Sequence, residues 1–116
     1  PEHLEMARKG LLGSTLNVRG AQMSNELQRA AVENSRLKIP ILFGFDVIHG
    51  YRTIFPIPLG EAASWNLDSM EKSAYTAAKE ARAAGVHWTF APMVDIARDP
   101  RWGRIMEGAG EDTFLG

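Results

Sequence analysis

The hydrophobic positions of this chain switch between two periods, and the switches divide it into helix and strand candidates. Pro1 to Lys9 mixes helix formers with basic residues at its end, and Gly10 stands where such a helix stops. Leu11 to Val18 is a short strand candidate, broken by Gly20. From Ala21 to Ser35, Met23, Leu27, Ala30 and Ala31 recur at helical spacing, and the helix must end before Pro40. Ile39 to Val47 is apolar almost without interruption until Asp46, as in a central parallel strand covered on both faces. Ile48 to Leu67 shows no clear period. Asp68 followed by Glu71 reads as a capping box, and Ser69 to Ala84 as a helix ended by Gly85. Its inner face would be Met70, Ala74, Ala77, Ala78, Ala81 and Ala84. Val86 to Val94 is the third strand candidate, and a loop rich in charge and glycine runs on to Gly116.

The order of elements is β-α-β-α-β, which predicts an α/β fold with a parallel sheet, either open or closed into a barrel. The connections are unequal. Those from helix to strand, at Arg36–Lys38 and Gly85, are short, whereas those after Asp46 and Val94 run to about twenty residues, beyond the usual range of about 2–6. Long loops after the carboxyl ends of strands form the active face of a (β/α)8 barrel. Three strands cannot close such a barrel, and two edges would stay unpaired. The chain also starts at Pro1, shows no secretory signal pattern and stops at Gly116 as another helix could be opening. The expectation is an internal piece of a longer protein.

Composition narrows the function classes. With 13 basic and 14 acidic residues the net charge is −1, and no basic stripe points to nucleic acid. No apolar run approaches the ~18 residues of a membrane span. Cysteine is absent, so disulfides and thiolate metal sites are excluded. His3, His49 and His87 fall in separate elements, which argues against a metal site and leaves His49 as a hydrogen-bonded structural residue. Trp65 and Trp88 are expected to pack in a core or interface.

The candidate chemistry lies at the two long loops. Asp46 ends the second strand behind F-G-F, where a carboxylate would be poorly hydrated and would need partners. Spacing alone favours a loop-capping aspartate over an acceptor for substrate hydroxyls. The loop V-D-I-A-R-D-P-R-W-G-R-I-M-E-G-A-G-E-D gathers Asp95, Arg98, Asp99, Arg101, Arg104, Glu107, Glu111 and Asp112 around Trp102. Trp102 is either a stacking platform for a sugar face or a cation–π lock between Arg101 and Arg104, with the lock favoured. Most of the acids are expected to neutralise the arginines, which would need partners if buried. G-A-G-E-D is no phosphate cradle, because neither a P-loop lysine nor a G-x-G-x-x-G after a strand is present.

These motifs resemble the amino-terminal barrel of family 3 glycoside hydrolases, from about Gly10 to Gly116. The specific parts are F-G-F-D-V-I-H-G (Phe43–Gly50), T-I-F-P (Thr53–Pro56), F-A-P-M-V-D (Phe90–Asp95) and R-D-P-R-W-G-R with E-G-A-G-E-D behind it. S-R-L-K-I-P (Ser35–Pro40) is similar to the periplasmic bacterial β-glucosidase branch. The resemblance implies that residues 1–116 are a fragment of that domain, a partial (β/α)8 TIM-type barrel of roughly the first three βα units. It implies a retaining exo-hydrolase acting on a β-linked oligosaccharide or an aryl or alkyl glucoside, without cofactor or metal, periplasmic or secreted. Asp46 and Arg104 match residues that bind hydroxyls of the terminal sugar, so the two should converge on one rim. Asp99 and Glu107 are candidates for holding the arginines in place, and Trp102 is a further candidate for a supporting role. The family's nucleophile, its acid/base and a lysine–histidine pair lie later in its chain, so no catalytic residue is assigned here.

Three alternatives stay open. A β-xylosidase of the same family differs at residues beyond this stretch. A non-catalytic sugar-binding module would keep this face and lose the later carboxylates. A doubly wound α/β domain would bind its ligand at a switch point of an open sheet.

Overall fold

The computed structural model describes residues 2–116, and Pro1 lies outside the described residues. The order of elements is α1 (Glu2–Arg8), β1 (Ser14–Leu16), α2 (Ala21–Arg29), β2 (Leu42–Phe45), α3 (Pro58–Ala63), α4 (Leu67–Ala83) and β3 (Trp88–Thr89). A π-helical turn, Ala30–Asn34, prolongs α2, and a 3-10 turn, Ile105–Glu107, lies in the last loop. The three strands form one parallel sheet in the order β1-β2-β3. The chain clusters into two compact units, Pro1–Asp46 with Ala81–Thr89, and Val47–Glu80 with Phe90–Gly116.

In the first unit the core forms where α1 and α2 cover one face of β2. Ala7, Leu27, Ala30, Ala31, Ile41 and Phe43 are buried together, with Leu4, Leu12 and Val18 packed at the margin. The small residues on α2 and its π turn let the helix approach the strand, whose Ile41 and Phe43 are each 1% exposed. The opposite face is not covered in the way a doubly buried strand requires: Leu42 is 42% exposed.

The strands are shorter than their apolar runs. β3 holds Trp88 and Thr89 alone, paired to Gly44 and Phe45, so Ile41 and Phe43 reach out on that side before a strand partner begins. Side chains complete the ladder there. Gln28 of α2 donates its Nε2–H to the Ile41 carbonyl (3.0 Å) and accepts the Ile41 N–H on Oε1 (2.7 Å). His87 donates its backbone N–H to the Phe43 carbonyl (2.9 Å) and accepts the Phe43 N–H on its ring Nδ1 (3.3 Å). A buried backbone group without a partner is costly, and these two side chains remove that cost where the sheet is incomplete.

Three features of α3 and α4 depart from the sequence expectation. The stretch without period contains α3, six residues with Pro58 at its first turn, whose preset φ suits a helix start. It is tied to α4 by the Ser73 hydroxyl, which donates to Glu61 Oε1 (2.6 Å). The cap of α4 is Asn66, not Asp68: Asn66 Oδ1 accepts the Ser69 N–H (3.0 Å), and Asp68 sits in the first turn, where its charge favours the helix dipole. The inner face of α4 also differs. Ala77 and Ala81 are buried, but Ala74 and Ala78 face solvent. Gly85, at φ +93, ends the α4 segment; Val86 N–H then donates to Ala81 O (3.0 Å), a turn in the left-handed region that favours glycine.

Candidate functional site

The first candidate position follows β2 directly. Asp46 is exposed, not dehydrated behind F-G-F: Phe43, Gly44 and Phe45 are buried and the chain leaves the sheet one residue later. It belongs to the first compact unit, and the loop it opens belongs to the second.

That loop closes on itself between His49 and Phe55. The Phe55 N–H donates to the His49 carbonyl (2.8 Å), and His49 Nδ1 lies 3.2 Å from the Phe55 carbonyl, so His49 is a structural histidine. Gly50 makes the turn possible. Its φ is +119, and a Cβ there would lie 1.9 Å from the Thr53 carbonyl oxygen. The far side of the loop hangs on Glu80 of α4. Its Oε2 accepts the N–H groups of Arg52 (2.9 Å) and Thr53 (2.8 Å), and its Oε1 accepts the Thr53 hydroxyl (2.6 Å). These bonds, those from Thr53 first, hold the Glu80 carboxyl below the usual carboxylate range.

The second candidate region is the charged loop after β3. The Ala97 N–H donates to Gly110 O (2.9 Å), and Met93 pairs with Gly108, which brings the two ends of the loop together. Successive turns from Asp99 to Glu107 then place its arginines. Asp99 accepts the Arg101 backbone N–H (2.9 Å) and grips the guanidinium through Nε to Oδ1 (2.9 Å) and Nη2 to Oδ2 (2.6 Å). Glu107 holds Arg104 in a two-point clasp, Nε to Oε2 (2.6 Å) and Nη2 to Oε1 (2.8 Å). The hydrogen bonds from Arg101 and Arg104 are the main cause that holds the carboxyls of Asp99 and Glu107 below the usual carboxylate range. Asp112 turns inward to the backbone instead and accepts the N–H groups of Phe114 and Leu115.

Neither guanidinium is buried. The Arg101 side chain is 89% exposed and that of Arg104 60%, while the Glu107 side chain is only 23% exposed. Glu107 is therefore the more enclosed partner of its pair. It orients the Arg104 guanidinium through two charge-assisted bonds at a fixed angle. Trp102 lies on the same turn at 37% exposed. Trp65 and Trp88, expected in a core or interface, are 58% and 49% exposed, because Trp65 follows the end of α3 and Trp88 lies on the outer strand.

Sequence reasoning did not find Gln28, Glu80 or α3. Gln28 and Glu80 act on residues 13 and 27–28 positions away, at distances no local pattern encodes. Pro58 ahead of L-G-E-A-A was a usable helix signal.

Comparison with known proteins follows the same lines. Residues 3–115 match the model of the glycosyl hydrolase family 3 N terminal domain. A periplasmic beta-glucosidase of Salmonella typhimurium is 49% identical over 111 residues, covering 96% of this chain and 14% of that protein. A putative beta-xylosidase of Formosa agariphila is 39% identical over 102 residues, 84% of this chain and 14% of that protein. Among solved structures, a beta-glucosidase from Listeria innocua in complex with glucose superposes with a TM-score of 0.87 at 47% identity, covering 91% of this chain and 15% of that one. The same enzyme in complex with isofagomine gives a TM-score of 0.87 over 92% of this chain. The chain thus spans about one seventh of the length of these relatives. Its parallel α/β fold is that of a partial TIM-type barrel, and it belongs to glycoside hydrolase family 3, within the amino-terminal domain.

Proposed function

We propose that this chain is part of a retaining, exo-acting β-glucosidase and forms part of the amino-terminal barrel domain of that enzyme. In this reading it supplies two groups that bind the terminal sugar, Asp46 and Arg104, while the nucleophile and acid/base come from elsewhere in the full protein. The observation that supports it most is the Arg104–Glu107 clasp, since two hydrogen bonds to one carboxylate fix the orientation of the guanidinium. Asp46 would accept from sugar hydroxyls and Arg104 would donate to them, so the two would define one ring by opposite polarity. Asp99 and Glu107 would hold the arginines, and Trp102 would wall the same turn. The substrate is a β-linked glucoside, in line with the glucose complex of the Listeria innocua relative. A periplasmic location is proposed from the names of two relatives.

A β-xylosidase is the second reading, supported by relatives of that name at 39% and 34% identity. Initial rates of the full-length protein on aryl β-glucoside and aryl β-xyloside separate the two. The reading expects the glucoside to be preferred and the β-anomer of glucose to be released first, as double displacement requires. A preference for the xyloside would favour the alternative, and no hydrolysis of either would favour a sugar-binding module.

A further inference from the structure

Glu80 has no role in the sugar-binding scheme above, yet both oxygens of its carboxylate are engaged by a single loop. Three donors converge on it, the N–H groups of Arg52 and Thr53 and the Thr53 hydroxyl, all from one loop and all between 2.6 and 2.9 Å. The loop is the one that leaves β2 directly after Asp46. Its base is closed by the His49–Phe55 bonds, and its turn admits only glycine at position 50. Without Glu80 two successive backbone N–H groups on its outer side would lose their acceptor. The outer side of the loop would then lose its tie to α4, and the direction in which the chain leaves the strand would be less determined.

The geometry points to Glu80 as a positioning residue, which holds the His49–Phe55 loop so that the segment beginning at Asp46 keeps the course that sugar binding needs. This rests on the functional reading above and adds a residue to it. Glu80 touches no substrate in this scheme and acts through the backbone of Arg52 and Thr53.

The chemistry separates a clasp from a charge. In Glu80→Gln the amide oxygen still accepts both backbone N–H groups, and the NH2 can donate to the Thr53 hydroxyl, so three bonds persist with their polarity rearranged. In Glu80→Ala all three are lost. A control for plain destabilisation is Leu27→Ala, a buried core residue of the first unit.

The test uses the full-length enzyme and two readouts at a temperature well below every variant's melting point. One is amide hydrogen exchange at Arg52 and Thr53, which needs no turnover. The other is steady-state kinetics on an aryl β-glucoside. Glu80→Ala is expected to lose protection at both amides and to lower kcat/KM by about 10- to 100-fold, as misplacement of binding groups does. Glu80→Gln should keep protection and stay within about 3-fold of wild type, because the hydrogen-bond count survives. Leu27→Ala should melt earlier with kcat/KM unchanged. Lost protection with unchanged kcat/KM would overturn the positioning role, and retained protection in Glu80→Ala would overturn the clasp itself. A wild type inert on every β-glycoside would bring down the functional reading and this role with it, and the exchange data would tell that failure from failure of the clasp.

Discussion

Gln28 offers a sharp test of how the sheet is held. Its side-chain amide pairs with both backbone groups of Ile41, a residue 1% exposed, in place of a strand partner. Gln28→Met keeps length and apolar volume and removes both bonds. Two buried polar groups are then stranded, at about 1–3 kcal/mol each, so about 2–6 kcal/mol is lost in all. With a urea m-value near 2 kcal/mol/M, the midpoint of the transition that unfolds this region falls by about 1–3 M. Gln28→Glu keeps the acceptor for the Ile41 N–H but sets a carboxylate against the Ile41 carbonyl, so it should fall between Met and wild type. Urea titration followed by tryptophan fluorescence gives the order. A Gln28→Met midpoint indistinguishable from wild type, the result of an ordinary surface change within about 0.5 kcal/mol, would refute the reasoning. It would mean that water reaches Ile41 and satisfies its peptide groups.

Three further outcomes follow from the geometry. Gly50→Ala should destabilise the His49–Phe55 loop by about 1–3 kcal/mol or more from backbone strain alone, before the clash with Thr53, and a melting curve equal to wild type would contradict the turn. Glu80, Asp99 and Glu107 each have a folded-state pKa below the ordinary value, so the unfolded chain binds more protons in the window between the two. Their contribution is therefore present above about pH 4–5 and is lost as the pH falls through the lowered values, so the urea midpoint should drop between about pH 5 and 3 and do so less steeply in Glu80→Gln. Glu107→Gln should weaken the grip on Arg104 and raise KM for an aryl β-glucoside more than it lowers kcat; an unchanged KM would detach the clasp from substrate binding.

The parallel order of the strands, the helix nature of residues 2–8, 21–34 and 67–83, and the family itself were legible in the sequence. Period and punctuation are local properties, and the glycines at 10 and 85 stand where helices end. Strand length was not legible. An apolar run such as Val86–Val94 reports burial or contact, while a strand also needs a neighbour in register, and β3 has one only at Trp88 and Thr89. The cap of α4 was misplaced because Asp68 and Asn66 both have capping side chains, and only backbone geometry decides between them. The choice of inner face failed at Ala74 and Ala78 because alanine is small enough to sit on either side of a helix. At the charged loop the residue types were evident, but the pairing of Asp99 with Arg101 and of Glu107 with Arg104 depends on turns that the glycines and Pro100 permit without specifying.

The central proposal is that Asp46 binds the terminal sugar, and kcat/KM of Asp46→Asn in the full-length enzyme tests it most directly. Replacing a charged acceptor by a neutral one should remove about 1.5–3 kcal/mol of hydrogen bonding, and kcat/KM on a chromogenic β-glucoside should fall by about 10- to 150-fold with the melting temperature unchanged. A variant as active as wild type on that substrate would remove Asp46 from the sugar site and contradict the account.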